Sequence, residues 1–194
     1  LGQRARLVPR RLGLPRLALR RPPALRATGS DVWLFTGCVM DAWQRQTHQA
    51  TARILGRLGV TYSVPGSGGG CCGALHTHAG LTPQASKLAE RVMASMPGDA
   101  PILVNSAGCG AAMKEYGRLL GTPAAEAFSR RVLDVHEYLA PRADELAAAR
   151  SANPAGRVVV QDPCHLRHVQ KVHLSVRAVL GKVGLSLHDR DLFV

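Results

Sequence analysis

Four of the five cysteines in this 194-residue chain have glycine beside them in sequence, in Gly37-Cys38, Gly70-Cys71-Cys72-Gly73 and Gly108-Cys109-Gly110. The fifth, Cys164, follows proline in Asp162-Pro163-Cys164-His165. Thiolates are the ligands of zinc and of iron–sulfur clusters. Neighbouring side chains of an extended segment point to opposite faces, so Cys71 and Cys72 reach one ligand only across a sharp backbone turn. Flanking glycines permit such a turn, because they adopt positive φ and let backbone approach a bulky group closely. Two plainer readings stand beside ligation. Free cysteines are among the most buried residue types and are often inert. A disulfide framework is the other, but five is an odd number and nothing marks the chain as secreted.

Other residue types near these cysteines carry weaker signals. His76 and His78 follow the pair in Cys-Gly-Ala-Leu-His-Thr-His, and His165 follows Cys164. Each is a candidate to ligate metal, to bond a cluster sulfur or to carry protons, against the plainer reading of an exposed loop or helix start. Lys114 and Tyr116, just past Cys109, read as a solvated helix face more than as site residues. Gly66, Gly68, Gly69 and Gly70 suggest a phosphate cradle, yet no Gly-Lys-Ser/Thr follows, which argues against a Walker loop. The 13 acids show no recurring pair, which gives a paired-carboxylate hydrolase little support.

The elements that must position these residues alternate between strand and helix. Apolar runs predict strands at 32–36, 59–64, 101–105, 157–161 and 184–188, and helical periodicity marks 41–58, 81–96, 111–120, 124–139, 142–150 and 168–182. Residues 65–73 read as a glycine-rich loop. This order predicts an α/β fold of Rossmann-like, largely parallel-sheet units. Sites in such sheets gather beyond the carboxyl ends of the strands. Cys38, Cys109 and Cys164 each follow a predicted strand there, and Cys71 and Cys72 lie in the loop after another. The segments Trp33 to Cys38 and Val159 to Cys164 occupy equivalent places, so the pattern restarts. The expected organisation is an arm at 1–30, a first cysteine-rich repeat at 31–150 and the start of a second, truncated repeat at 151–194.

Composition bounds the class. At 46% hydrophobic content the chain can bury a core, and no apolar run approaches the ~18 residues of a membrane span. Of the net charge of +12, eight positive charges belong to arginines within residues 1–30, which contain no acid, so the body is only mildly basic. Prolines 9, 15, 22 and 23 interrupt any long helix in that arm. Contact with acidic lipid or nucleic acid and a transit-like role compete with a solvated linker; the arm lacks the aromatics that stack on bases and the serines of a transit peptide, which favours the linker. The chain starts at Leu1 and stops at Val194 soon after a predicted strand, so a piece of a longer protein is expected.

The ordered set Gly37-Cys38, Cys71-Cys72-Gly73-Ala74-Leu75-His76, Ser106-Ala107-Gly108-Cys109-Gly110 with Lys114-Glu115-Tyr116-Gly117, then Asp162-Pro163-Cys164-His165-Leu166, resembles the cysteine-rich "CCG" region of the glycolate oxidase iron–sulfur subunit. That family is related to the cysteine-rich subunits of heterodisulfide reductase and of lactate-utilisation and anaerobic glycerol-3-phosphate dehydrogenase systems. The resemblance spans about Val32 to Val194. It implies a preceding ferredoxin-like domain, to which residues 1–30 would be the linker, and a second Cys-Cys-Gly motif beyond the second repeat. One position departs: the heterodisulfide-reductase relatives carry Cys-x-x-Cys in the third motif, whereas Ala112 stands three residues after Cys109, as in the Gly-Cys-Gly form of glycolate-type members.

The resemblance implies that Cys38, Cys71, Cys72, Cys109 and Cys164 are cofactor-binding residues, the first four sufficing for an ordinary 4Fe-4S cluster. It implies an electron-transfer subunit that takes electrons from a flavin-containing subunit oxidising a small 2-hydroxy acid, without catalysing the oxidation itself. A redox-active thiol site remains open, and the alternative from another class is a noncatalytic interaction module stabilised by zinc. No nucleic-acid partner is expected. Free-cysteine usage and the absence of a signal segment point to the cytoplasm, with any membrane association peripheral and through partners.

Overall fold

The computed structural model describes residues 22–149 and 157–189, and the expectations for 1–21, 150–156 and 190–194 lie outside them. In chain order the elements are β1 (Val32–Phe35), α1 (Cys38–Trp43), α2 (Arg45–Arg57), β2 (Tyr62–Ser63), α3 (Ala74–His78), α4 (Thr82–Ser95) and β3 (Ile102–Val104). They continue with α5 (Ala107–Lys114), α6 (Tyr116–Leu120), α7 (Pro123–Arg131), β4 (Val132–Asp134), α8 (Val135–Leu139), α9 (Ala143–Ala148), β5 (Arg157–Val160), α10 (His173–Lys182) and β6 (Ser186–Asp189).

The strands β2-β1-β3-β4 form one sheet in that spatial order, every pair parallel. The expected α/β class with a parallel sheet is thus observed. Alternation along the strands sorts side chains to two faces. Phe35, Ile102, Val104 and Val132 point to one core, which buries Ala89, Val92 and Met96 around α4 together with Met113, Tyr116, Ala125 and Phe128 from α5 to α7. Val32, Leu34 and Leu103 point to the other, against Leu55 of α2, Leu139 of α8, Leu146 of α9 and Val179 of α10. Helices on both faces explain why the central strands read as continuous apolar runs.

The chain leaves β1, adds β2 on one side, then returns to add β3 on the other side of β1. Connections therefore diverge at the carboxyl ends of β1 and β3, which opens a crevice there. β5 and β6 form a separate parallel pair, with Val158 opposite Leu187, and α10 between them packs on α8 and α9. This strand–turn–helix–strand order echoes β1 through β2.

Residues 22–30, expected as the end of an arm, lie against the body. Thr28 and Gly29 N–H groups donate to the Tyr62 carbonyl at 2.8 and 3.2 Å, Arg45 Nη1 donates to the Pro22 carbonyl, and Leu25 packs on the second core. The segment thereby covers the outer edge of β2, which would otherwise present unpaired backbone groups.

Several expected elements differ in detail. The helix expected over 41–58 is two helices, broken at Gln44 where φ is −130° and ψ 36°. The helix expected over 111–120 begins earlier, at Ala107, and divides at Glu115, so Cys109 sits in a helical first turn. The helix expected over 124–139 contains β4: Val132 turns extended at ψ 121°, Val132, Leu133 and Asp134 pair with β3, and Asp134 then caps α8. The start of the helix expected over 168–182 is a π-helical segment, His165–Gln170, ended at Lys171 with φ 58° before α10 begins. Among the described residues no helix is long and apolar enough to cross a membrane.

Candidate functional site

The crevice between β1 and β3 receives both single-cysteine turns. Gly37, at φ 65°, turns the chain out of β1 so that Cys38 opens α1. Beyond β3, Asn105 and Ser106 lead into α5, whose first turn holds Cys109 and whose Gly110 N–H donates to the Ser106 carbonyl at 2.8 Å. The two turns face each other, since a Cβ placed on Gly37 would lie 4.0 Å from Cys109 Sγ. Cys71 and Cys72 enter from the loop after β2. All four cysteines line one pocket, a chamber of about 270 Å³, together with Phe35, Val39, His48, Leu75 and Val104 and, among the described residues, with no Asp, Glu, Lys or Arg.

The vicinal pair divides its contacts. The Cys38 thiol neighbours that of Cys71, and its pKa is raised by burial first and then by the Cys71 charge and hydrogen bond. The Cys72 and Cys109 thiols interact with each other; that interaction first, with burial, pushes the Cys72 thiol up, and it pulls Cys109 down. Further donors reach sulfur: the Val39 N–H at Cys38, the Ala74 N–H at Cys72 and the Ser106 hydroxyl at Cys109. Donors aimed at sulfur favour the thiolate form that ligation requires.

Three residues hold these loops from behind. Gly73 has φ 80°, and a Cβ there would stand 3.3 Å from the Ala85 carbonyl oxygen, so α4 packs directly on the Cys-Cys-Gly turn. The Tyr116 hydroxyl, fully buried, donates to the Cys72 carbonyl at 2.7 Å. Burial, and then the nearby Cys72, Cys109 and Cys71 sulfurs, push its pKa up. Tyr116 therefore belongs to the core, correcting the expected solvated face; its spacing three residues after buried Met113 is the helical signal that marks it. The third is His48 of α2, 1% exposed and lining the chamber. Sequence reasoning misses it, although His48, Thr51 and Leu55 share one buried helical face.

The remaining candidates lie elsewhere. Cys164 is exposed and is not among the residues lining the chamber. His78 and His165 stack with centroids 5.6 Å apart and line a second pocket of about 350 Å³ that shares Gly108 with the first. His76 lines neither. Lys114 pairs with Glu137 at 2.6 Å, joining α5 to α8.

Among the described residues no three His, Cys, Asp or Glu side chains converge as the ligands of a single ion. The thiols instead surround a space. A lone zinc draws its sulfurs to about 2.3 Å from one point, whereas four soft donors around an apolar chamber fit a polynuclear iron–sulfur group. Fold and side chains together define an α/β domain with four cysteines gathered at its switch crevice.

Residues 32–114 match the family described as "Cysteine-rich domain", CCG. The chain is 34% identical to the glycolate oxidase iron-sulfur subunit of Escherichia coli (strain K12) over 81% of its own length and 40% of that relative. To the probable glycolate oxidase iron-sulfur subunit of Bacillus subtilis (strain 168) it is 31% identical, over 83% of its length and 37% of the relative. It is 35% identical to one of the subunits of the dihydromethanophenazine:CoB--CoM heterodisulfide reductase of Methanosarcina mazei, over 84% of its length and 40% of the relative. The chain thus spans two fifths or less of these three relatives. No solved structure matches.

Proposed function

We propose that this chain is part of an iron–sulfur electron-transfer subunit of an oxidoreductase, and that Cys38, Cys71, Cys72 and Cys109 hold a 4Fe-4S cluster. The observation that carries this reading is the gathering of four thiols around one apolar chamber at the carboxyl ends of β1 and β3. Relatives named as iron-sulfur subunits support it over a zinc module. The finer reading follows the same similarity: electrons come from a flavin-containing subunit that oxidises a glycolate-type 2-hydroxy acid, and any attachment to membrane runs through partner subunits.

A bound cluster supplies one-electron transfer at a potential set by its surroundings. The chain's own residues determine those surroundings. Gly37 and Gly73 let the cysteine loops turn inward, and the Val39 and Ala74 N–H groups and the Ser106 hydroxyl point at sulfur. Phe35 and Val104, both buried, give the inner wall an apolar surface. Cys38, exposed at the rim, marks the side from which electrons enter or leave. Cys164 belongs to a different site in this reading, as part of a second repeat begun by β5, α10 and β6.

The test is iron, zinc and acid-labile sulfide content, with a visible spectrum, on the full chain purified without oxygen. Iron and sulfide in near-equal amounts, lost in Cys71→Ser and Cys72→Ser, are expected. Stoichiometric zinc without sulfide would establish the structural module instead.

A further inference from the structure

We infer that His48 is a positioning residue that clamps the two single-cysteine turns at a fixed separation across the crevice, acting through backbone and amide groups and not as a ligand. The inference rests on the cluster-binding reading of the same chamber. Its geometry is a chain of hydrogen bonds crossing the sheet end. His48 Nε2 lies 2.8 Å from the Thr36 carbonyl oxygen, two residues before Cys38. Its Nδ1 lies 3.0 Å from Asn105 Nδ2, four residues before Cys109. Thr51 Oγ1 lies 3.0 Å from Asn105 Oδ1.

The partners fix the protons around the ring, while the Thr51 hydroxyl has two acceptors in reach, Asn105 Oδ1 at 3.0 Å and the Thr47 carbonyl at 3.1 Å. A carbonyl can only accept, so Nε2 carries the hydrogen. The neutral ring then leaves Nδ1 bare, so Asn105 turns its amide nitrogen toward it and its oxygen toward the Thr51 hydroxyl. Both ring nitrogens are thereby committed, and neither is free to coordinate metal or donate to a cluster sulfur. Burial favours the neutral imidazole, outweighing the Thr36 carbonyl and the Asp41 carboxylate, while Arg45 acts in the same direction as burial. What His48 does in the chamber it therefore does through Thr36 and Asn105, each at the root of a cysteine turn.

Three substitutions separate the two bonds. Gln places its amide nitrogen near the position of Nε2 and retains the Thr36 contact; Asn places its oxygen near Nδ1 and retains the Asn105 contact; Leu retains neither. In the iron-loaded full chain, His48→Leu should lose about 10–100-fold in iron affinity, as replacing an outer-shell partner typically does, read as faster release to a chelator, and should shift the cluster's reduction potential. His48→Gln and His48→Asn should fall between Leu and wild type, which keeps the test open if the Leu variant does not fold. The second readout needs no metal: dibromobimane bridging of Cys38 to Cys109 in chain with serine at positions 71, 72 and 164. Bridging should slow several-fold when His48 is replaced. Iron release and potential unchanged in all three variants would overturn the inference, and so would faster release with an unchanged bridging rate, since His48 would then affect stability alone. Should the wild-type chain bind no iron, the proposed function fails while His48-dependent bridging still supports the clamp; bridging independent of His48 would overturn the clamp as well.

Discussion

Removing one oxygen, in Tyr116→Phe, tests whether the core controls the cysteine turn. The Tyr116 ring is 1% exposed and stacks on Phe128 at 5.7 Å between centroids, so the substitution leaves packing in place. What disappears is the 2.7 Å bond from the hydroxyl to the Cys72 carbonyl. A net hydrogen bond is worth about 0.5–1.5 kcal/mol, and stranding a buried acceptor costs about 1–3 kcal/mol. The expected loss is therefore about 1–3 kcal/mol, and 2 kcal/mol corresponds to a drop of about 4–8 °C in Tm for a domain of this size. Tyr116→Ala, which also removes the ring, should cost at least about 3 kcal/mol, so the difference between the two variants separates packing from the hydrogen bond. Urea unfolding of metal-free chain gives the stability term free of ligand linkage, and iron retention in loaded chain reports on the turn. If Tyr116→Phe unfolds at the wild-type midpoint and keeps its iron equally well, the carbonyl is not held by Tyr116, which refutes the reasoning.

Gly73→Ala should cost about 1–2 kcal/mol for its positive φ alone, with α4 displaced besides because the new Cβ would stand 3.3 Å from the Ala85 carbonyl. Gly70→Ala, at φ −73° with nothing within 4 Å, should change stability by less than about 0.5 kcal/mol, as compared by urea midpoints. Cys164→Ser should leave iron content unchanged while Cys71→Ser abolishes it, in a colorimetric iron assay. His48 has a folded pKa below its ordinary 6.5, so below that pH the unfolded chain takes up a proton that the folded chain resists. Its contribution is fully present above about pH 6.5 and is lost as pH falls from there toward the folded value; the difference in urea stability between wild type and His48→Gln should show this slope. Glu137→Ala, which removes the partner of Lys114 and of the Asp134 N–H, should cost about 1–2 kcal/mol, whereas Glu137→Gln, which can still accept from that N–H, should cost less than about 1 kcal/mol by thermal unfolding.

What the residues reveal without coordinates is local. The runs Val32 to Phe35 and Ile102 to Val104 are apolar on both faces because helices cover both, and that is visible in the sequence. The three residues of β4 are not. Val132, Leu133 and Asp134 follow an alanine-rich helix without a breaker, and only pairing with Ile102 through Val104, some thirty positions away, makes them a strand. Tyr116 and His48 escape the sequence reading for a related reason. Each lies on a buried helical face that periodicity marks, but what each bonds to comes from a different loop: Cys72 for one, Thr36 and Asn105 for the other. Periodicity tells which side faces inward, and not which loop arrives there.

The vicinal pair shows the same division between local rule and tertiary outcome. Adjacent side chains in an extended segment diverge, which makes Cys71 and Cys72 a poor pair for one point but a good bridge between two. In the crevice Cys71 meets Cys38 from the β1 turn, and Cys72 meets Cys109 from the β3 turn. The loop after β2 can span both because β2 is the strand on the far side of β1, and Gly73, at φ 80°, lets it fold back over the sheet's carboxyl end. The strand order 2-1-3-4 thus separates the two single-cysteine turns by one strand spacing and leaves the pair to join them. A single ion would waste that divergence, whereas an iron–sulfur cluster would be held by sulfurs arriving from both turns.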